Sequence, residues 1–480
     1  MPDRSPVKLF FTVTILLLGL SSAPLITRQA PPPSILDQIQ RSGELVVLTR
    51  NSPTTFYEGP NGPTGFEYDL VKLFAEQLGA RLKIVTPESF DAILPLVAQR
   101  NVHLAAAGLT VTEERRRRVR FGPPYLEITQ QLVYRHGGKS PRDMTMLGNG
   151  LIEVVAGSSH ADRLRQMAMR TPVNWRSSQT DVAGLLARVW EKTLDYTVAD
   201  SHEVSFYRRY YPELRIAFDL GPPQQLAWAF PKGTDDSLYK EAQRFFQRIR
   251  ADGTLDRLKE RHFGHIRDFD YVGLRRFLRH QEQRLPRYRR FFEGAARKYG
   301  LDWRLLAAIG YQESHWNHRA VSPTGVRGIM MLTRATAADM GYRNRINPRN
   351  SIYGGARYFS QIKRRLPEDI EEPDRTWFAL AAYNLGLGHV LDVRDITRRR
   401  GGDPDKWMDV KENLPLLMER RWYRKTRHGF ARGIEAQRYV ENIRSYYDIL
   451  LWQTDSHRAP ANTTILVRSP GLQQNVPPIL

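Results

Sequence analysis

Apolar and polar positions alternate in two different regimes along this chain. From residue 44 to 265, short apolar runs alternate with amphipathic segments. Glu44–Thr49 (ELVVLT) reads as a buried strand, Gly65–Leu78 as an amphipathic helix and Arg81–Val85 as the next strand. Phe90–Gln99 reads as a second helix and His103–Ala107 (HLAAA) as a further strand. Strands alternating with helices predict a parallel sheet that takes ligands at the carboxyl ends of its strands. Leu238–His262 is a long helical pattern, and Phe263–Val272 loses it, which places a boundary near Arg267. Beyond that point strand-like runs nearly vanish. Helical patterns cover Arg275–Arg284, Pro286–Tyr299, Asp302–Trp316, Arg334–Met340, Ile352–Arg365, Arg375–Leu385, Pro404–Asn413 and Glu435–Leu451. Gly300, Gly341 and Gly402 fall where such helices end. The predicted fold class is therefore multidomain, an α/β part followed by an all-α part. The polar, Pro-containing stretch Gln453–Leu480 is expected to lack structure.

The amino terminus has its own pattern. Arg4 and Lys8 precede the apolar run Leu9–Leu20, followed by Ser21-Ser22-Ala23. A charged segment, a short apolar run and small residues predict a signal peptide over residues 1–23 and an exported mature chain. An uncleaved anchor is the alternative, because the run extends to Ile26 only by including Pro24. The expected organisation is residues 1–23, 24–267, 268–452 and a tail over 453–480.

Composition narrows the partners. Among 480 residues the formal charge is +21, which favours anionic surfaces and carboxylate-bearing polymers. The chain has no cysteine, which excludes disulfides, cysteine-ligated zinc, a thiol nucleophile and lipid attachment through cysteine. No metal or other cofactor is called for, and no nucleic-acid-binding motif accompanies the charge.

One carboxylate stands out. On a helix over Asp302–Trp316 with Asp302 as N-cap, Leu305, Ile309, Glu313 and Trp316 share one face. A carboxyl at the end of an apolar face is costly to ionise, which makes Glu313 a candidate general acid. A salt-bridged or solvent-facing glutamate is the alternative from position alone. Two clusters follow it: Ser322–Thr333 (SPTGVRGIMMLT), a glycine-bearing loop, and Ala379–Gly388 (ALAAYNLGLG), whose Tyr383 and Asn384 suit a sugar ring and its N-acetyl group. In the α/β part, the Thr110 hydroxyl and Arg115 guanidinium could clamp a carboxylate, and Asp200 could accept an amino group. Arg116–Arg118 and Arg120 read as solvated surface charge.

Residues 40–265 resemble the periplasmic solute-binding proteins of amino-acid uptake systems. The resemblance rests on GELVVLTRNSPTTFY, GPTGFEYDLVKLFAEQLG, LTVTEERRRRVRFGPPY, VVAGSS and DYTVADS. It implies two lobes closing over a ligand, with Thr110 and Arg115 on the α-carboxylate, Asp200 on the amino group and Ser158 in the Gly157-Ser158-Ser159 turn. Gly108 departs from the family, where a hydroxyl-bearing residue is common. Residues 290–450 resemble the goose-type-lysozyme-like lytic transglycosylases through Gln312-Glu313-Ser314, Gly328–Thr333 (GIMMLT), Ala382-Tyr383-Asn384 and Tyr439-Val440. Met331 stands where these families usually have Gln. This resemblance implies a lysozyme-like helical domain that cleaves the β-1,4 bond between N-acetylmuramic acid and N-acetylglucosamine, leaving 1,6-anhydromuramoyl ends. Glu313 would be the single catalytic carboxylate, Ser322 and Asn384 would orient the substrate, Met330 and Tyr383 would line the cleft, and Tyr439 would orient Glu313.

The expected function is peptidoglycan cleavage in cell-wall turnover, in the periplasm at the inner face of the outer membrane. The first domain would bind a muropeptide or amino acid and regulate the second. The competing readings are a non-catalytic amino-acid- or peptide-binding sensor and a hydrolytic muramidase of the same fold.

Overall fold

The computed structural model describes residues 33–59, 62–138, 140–265, 271–322, 325–454 and 464–467. The predicted signal peptide (residues 1–23) and the expected boundary near 267 lie outside the described residues.

Two sheets build the first part. One has six strands in the order Thr464–Val467, Arg81–Val85, Glu44–Leu48, Leu104–Ala105, Ala229–Phe230, Arg120–Phe121. The other runs Trp175–Ser178, Ile152–Val155, Tyr196–Asp200, Gln130–Arg135, Leu214–Asp219. The expected parallel pairing holds at the centres, as between Glu44–Leu48 and Arg81–Val85. The sheets are nevertheless mixed, because returning strands such as Gln130–Arg135 and Ala229–Phe230 pair antiparallel. A two-stranded ribbon, Leu126–Ile128 with Gln224–Leu226, joins the lobes where the chain crosses out and back. The first sheet's core includes Leu45, Val47, Phe74, Leu82, Phe245 and Phe246, the inward positions of strands and helices whose polar positions face water.

The stretch after 452, expected to lack structure, contributes one strand. Thr464–Val467 (TILV) pairs antiparallel with Arg81–Val85. A β-branched, apolar tetrapeptide suits the unpaired edge that Arg81–Val85 would otherwise present.

From Tyr271 to Thr454 the fold is helical. Trp303–Ser314 packs on Gly433–Thr454, and Leu285–Tyr299 packs on both Trp303–Ser314 and Pro348–Arg365. The helix Leu387–Arg399 was not expected, because Gly386 and Gly388 read as a turn. Gly388 lies inside it, where a Cβ would come 2.6 Å from the His428 ring. The glycine marks a close approach rather than a break.

The helical part shares a core with the second lobe. Tyr207, Tyr210 and Leu214 of the lobe belong to the same buried cluster as Phe277, Leu306 and Ile449. Ion pairs rim this junction. Arg444, 1% exposed, reaches Glu260 at 2.8 Å, and Asp448 takes both Arg209 at 2.9 Å and His265 at 2.6 Å.

Candidate active site

Asp302 begins the Trp303–Ser314 helix, its carboxylate accepting the Arg304 N–H at 2.8 Å. Leu305, Leu306 and Ile309 are buried, as the apolar spacing requires. The helix ends sooner than the periodicity implies, because His315 and Trp316 adopt φ of 50° and 54°. Trp316 therefore leaves the helical face and turns back, its Nε1–H donating to the Ala307 carbonyl at 2.8 Å. Ser314 Oγ lies 2.9 Å from the Ile329 carbonyl and ties the helix end to the following loop.

Glu313 sits half-buried on the last turn. Tyr439, buried in Gly433–Thr454, donates its hydroxyl to Glu313 Oε1 at 2.6 Å. Burial pushes the Glu313 carboxyl up from 4.5 to about 7, and the Tyr439 hydrogen bond, which favours the carboxylate, pulls it partly back. Among the described residues no Lys or Arg pairs with Glu313, so the salt-bridge alternative falls away. Near neutral pH this carboxyl can hold a proton or release it, the property a group needs to act as acid and then base.

Tyr383 ends the Asp374–Leu385 helix and donates its hydroxyl to the Met330 carbonyl at 2.9 Å. Its own ionisation is pushed well up, by burial first and then by the neighbouring Glu313 charge. Asn384 follows it, exposed at the helix end. Ser322 Oγ accepts the Val326 N–H at 3.1 Å, closing a turn at the start of the loop that leads to Met330. Met330 is a correction. Its side chain is fully buried, close to Gly310 and Gly355, and cannot line a cleft; its carbonyl is the part that faces Tyr383. Met331 is half-buried with φ 45°, a left-handed conformation costly for a methionine. Gly328, at φ +91°, is obligatory, since a Cβ there would stand 2.2 Å from the Arg345 carbonyl oxygen.

The cleft between the lobes of the first domain gathers Thr110, Arg115, Ser158 and Asp200, and most of their polar groups are engaged within the protein, Arg115 Nε being the buried exception. Arg115 donates to the carbonyls of Gly157 at 3.0 Å and Thr110 at 3.3 Å. Ser158 Oγ caps the helix Ser159–Ala168 by accepting the Ala161 N–H, while Ser159 donates to Thr110 Oγ1 at 3.0 Å. Asp200 meets His160 Nε2 at 2.9 Å. Burial opposes its ionisation, and the His160 charge and hydrogen bond outweigh that to hold it below the usual carboxylate range. Arg50 pairs with Glu203 at 2.7 Å across the lobes.

Arg50, His160 and Glu203 were missed by sequence reasoning. The only available signals were the placement of His160 straight after Gly157-Ser158-Ser159 and of Glu203 three residues past Asp200. Gly108 explains part of the arrangement. A Cβ on Gly108 would lie 3.1 Å from Arg50 Nη2, so the missing side chain leaves room for the guanidinium. The space left between these side chains is about 20 Å³, enough for a water.

Residues 45–265 match the family of bacterial extracellular solute-binding proteins, family 3, and residues 290–405 match the transglycosylase SLT domain. A protein of Alkalilimnicola ehrlichii, membrane-bound lytic murein transglycosylase F 1, is 53% identical over 90% of this chain and 88% of its own. Membrane-bound lytic murein transglycosylase F of Saccharophagus degradans is 48% identical over 91% of this chain and 87% of its own. A solved ancestral arginine-binding protein bound to arginine covers 46% of this chain and 98% of its own, at 25% identity and a TM-score of 0.43. With a solute-binding α/β part joined to a helical SLT domain, and this identity over nearly the whole length, the chain belongs to the membrane-bound lytic murein transglycosylase F family.

Proposed function

We propose that this chain is a peptidoglycan lytic transglycosylase, and that Glu313 is its catalytic residue. The observation that carries the assignment is a half-buried carboxyl raised to about 7, held by a 2.6 Å bond from Tyr439 and unpaired with any cation among the described residues. Protonated Glu313 donates its proton to the glycosidic oxygen between N-acetylmuramic acid and N-acetylglucosamine. The C1–O bond breaks and the N-acetylglucosamine hydroxyl departs. The carbonyl oxygen of the muramic N-acetyl group bonds to C1 as the leaving group goes, and this substrate assistance makes a second carboxylate unnecessary. The Glu313 carboxylate then removes the proton from the muramic C6 hydroxyl. O6 attacks C1, releases the acetamido oxygen and closes the 1,6-anhydro ring, so no water is added. Tyr439 positions Glu313 through both states. Asn384 and Ser322 are assigned to the substrate's N-acetyl group and leaving oxygen, and Tyr383 to the cleft wall. Mass spectrometry of products from purified sacculi tests this directly. Anhydromuramoyl ends are expected; reducing ends would make the chain a muramidase, and no release would leave a binding protein.

The same reading gives the boundaries as 24–267 for the solute-binding-like domain and 268–452 for the catalytic one. It places the chain in the periplasm, at the inner face of the outer membrane. Among the described residues no helix is long and apolar enough to cross a membrane; the attachment assigned to the chain is peripheral. The first domain is assigned as a regulatory module for an amino acid or stem peptide. Such a ligand must displace Arg50 from Glu203 and His160 from Asp200, because its own charged groups would need those partners. Free amino acids at millimolar concentration are therefore expected to bind weakly and to raise the melting temperature by no more than about 1 °C. A rise of several degrees would mean that the two ion pairs yield readily.

A further inference from the structure

The segment 418–438, between the Tyr383–Asn384 helix end and Tyr439, has a surface to which the mechanism above assigns no role. It carries seven cations, Arg420, Arg421, Arg424, Lys425, Arg427, Arg432 and Arg438, all exposed, against two carboxylates. The carboxylates are spent locally: Glu419 pairs with Arg421 at 2.7 Å and Glu435 with Arg432 at 3.2 Å. Among the described residues no carboxylate pairs with Arg420, Arg424, Lys425, Arg427 or Arg438. Within the same segment three large apolar side chains stand in solvent, Met418 at 40%, Phe430 at 53% and Ile434 at 40% exposure.

This exposure is built into a braced loop. The Ala431 N–H donates to the Leu417 carbonyl at 3.2 Å, joining the chain next to Phe430 to the chain next to Met418. The Arg427 and His428 N–H groups both donate to the Asp392 carboxylate, at 3.2 and 2.9 Å. The Tyr423 and Phe430 rings meet edge to face at 5.7 Å. Gly433 is pressed so close to Leu414 that a Cβ would lie 1.7 Å from its carbonyl oxygen. A loop held at so many points presents Phe430 as a fixed surface feature.

We propose that this loop is a membrane-docking face, and that its partner is a bilayer surface rich in anionic phospholipid headgroups. Exposed cations alone would suit any polyanion, including the carboxylates of peptide stems. Cations surrounding exposed Phe, Ile and Met are the composition of an interfacial anchor, in which the rings and aliphatic chains enter the acyl boundary while the cations hold headgroups. The loop is tied through Asp392 to the helix that follows Asn384 and runs into the helix of Tyr439. Docking there would hold the Glu313 cleft at a fixed height above the lipid.

The inference rests on the envelope assignment made above, and sacculus digestion by the same preparations reads that assignment separately. The experiment is vesicle flotation of the full chain, comparing phosphatidylcholine vesicles with vesicles containing phosphatidylglycerol. Two variants accompany the wild type: Arg420→Glu/Arg424→Glu/Lys425→Glu, and Phe430→Ser/Ile434→Ser. These surface positions are outside the core, so melting curves and sacculus digestion in solution should match the wild type. The wild type should bind anionic vesicles at least tenfold more tightly than neutral ones. The charge reversal should weaken anionic-vesicle binding by about a hundredfold, and the serine pair should weaken it several-fold at any lipid charge. Wild-type vesicle binding by both variants would overturn the proposal and leave attachment to other residues. Loss of sacculus binding with vesicle binding intact would also overturn it, and would give the loop to peptide-stem carboxylates.

Discussion

Replacing Glu313 by glutamine should reduce release of anhydromuropeptides from sacculi by about a thousandfold or more, and should stabilise the chain above neutral pH. The activity loss follows from asking one side chain to donate a proton and later to accept one, since glutamine does neither. Proton transfer by a positioned group contributes ~10²–10⁴-fold, and two successive steps depend on this one. The stability gain follows from the same burial that makes Glu313 useful. Its carboxyl sits at about 7 in the folded chain against an ordinary value of 4.5, so folding favours the protonated form. Below pH 4.5 both folded and unfolded chains are protonated there, and the stabilising effect of protonation is complete. As pH rises through 7 that effect is lost, at a cost of roughly 3 kcal/mol. Glutamine is neutral throughout and avoids the loss. Wild type and variant should therefore melt together near pH 4 and separate by several degrees at pH 8, the variant higher. Wild-type activity should fall as pH rises through about 7, because the first step needs the proton in place. An inactive variant with no stability gain at pH 8 would mean that Glu313 is less desolvated than its geometry indicates. A variant that retains full activity would remove Glu313 from the mechanism.

Asp448→Ala should produce the largest loss of stability among single substitutions at the junction of the domains. Asp448 accepts from Arg209 at 2.9 Å and from His265 at 2.6 Å, and Arg209 is 2% exposed. Removing the carboxylate leaves a buried guanidinium without its anion, which costs ~3–5 kcal/mol. Replacing both partners, as in Arg209→Met with Asp448→Ala, should recover much of it, since the buried guanidinium is removed along with its anion. The junction should also weaken in acid. Burial opposes Asp448 ionisation, but His265 and Arg209 overcome it and hold the carboxyl well below its usual range, so its stabilising effect is present above pH 3.8 and fades below. His265 is pushed down to about 4, by burial first and then by the Arg444 charge, so the folded chain favours it neutral. That preference is fully present above 6.5 and is lost as pH falls toward 4. Calorimetry of the wild type and both variants between pH 2 and 8 checks this. Equal melting of wild type and Asp448→Ala at pH 7 would show that the junction does not depend on this ion pair.

Much of the architecture could be read along the chain because its signals are local. Arg81–Val85 has the bounds its apolar run implies, and Asp302 caps its helix as its position predicts. Other features were hidden because they depend on partners far away in sequence. Trp316 has the spacing of a helical residue, yet two left-handed residues take it off the helix. Met330 has the place of a cleft residue in its motif, yet glycines on two neighbouring helices admit it to the core. Thr110, Arg115, Ser158 and Asp200 were found by motif, whereas Arg50 and Glu203, 153 positions apart, had no pattern to join them.

The sequence by itself determined the succession of elements and the candidate acid on the last turn of an apolar helix. It also determined the family, since periodicity, caps and ordered motifs are properties of neighbouring residues. The tertiary structure alone decided that Glu313 is held by Tyr439, 126 residues away, and that burial raises its carboxyl to about 7. It alone decided that ion pairs of the first domain itself occupy its cleft. Desolvation and pairing depend on what packs against a group, and in a folded chain that is set by distance in space.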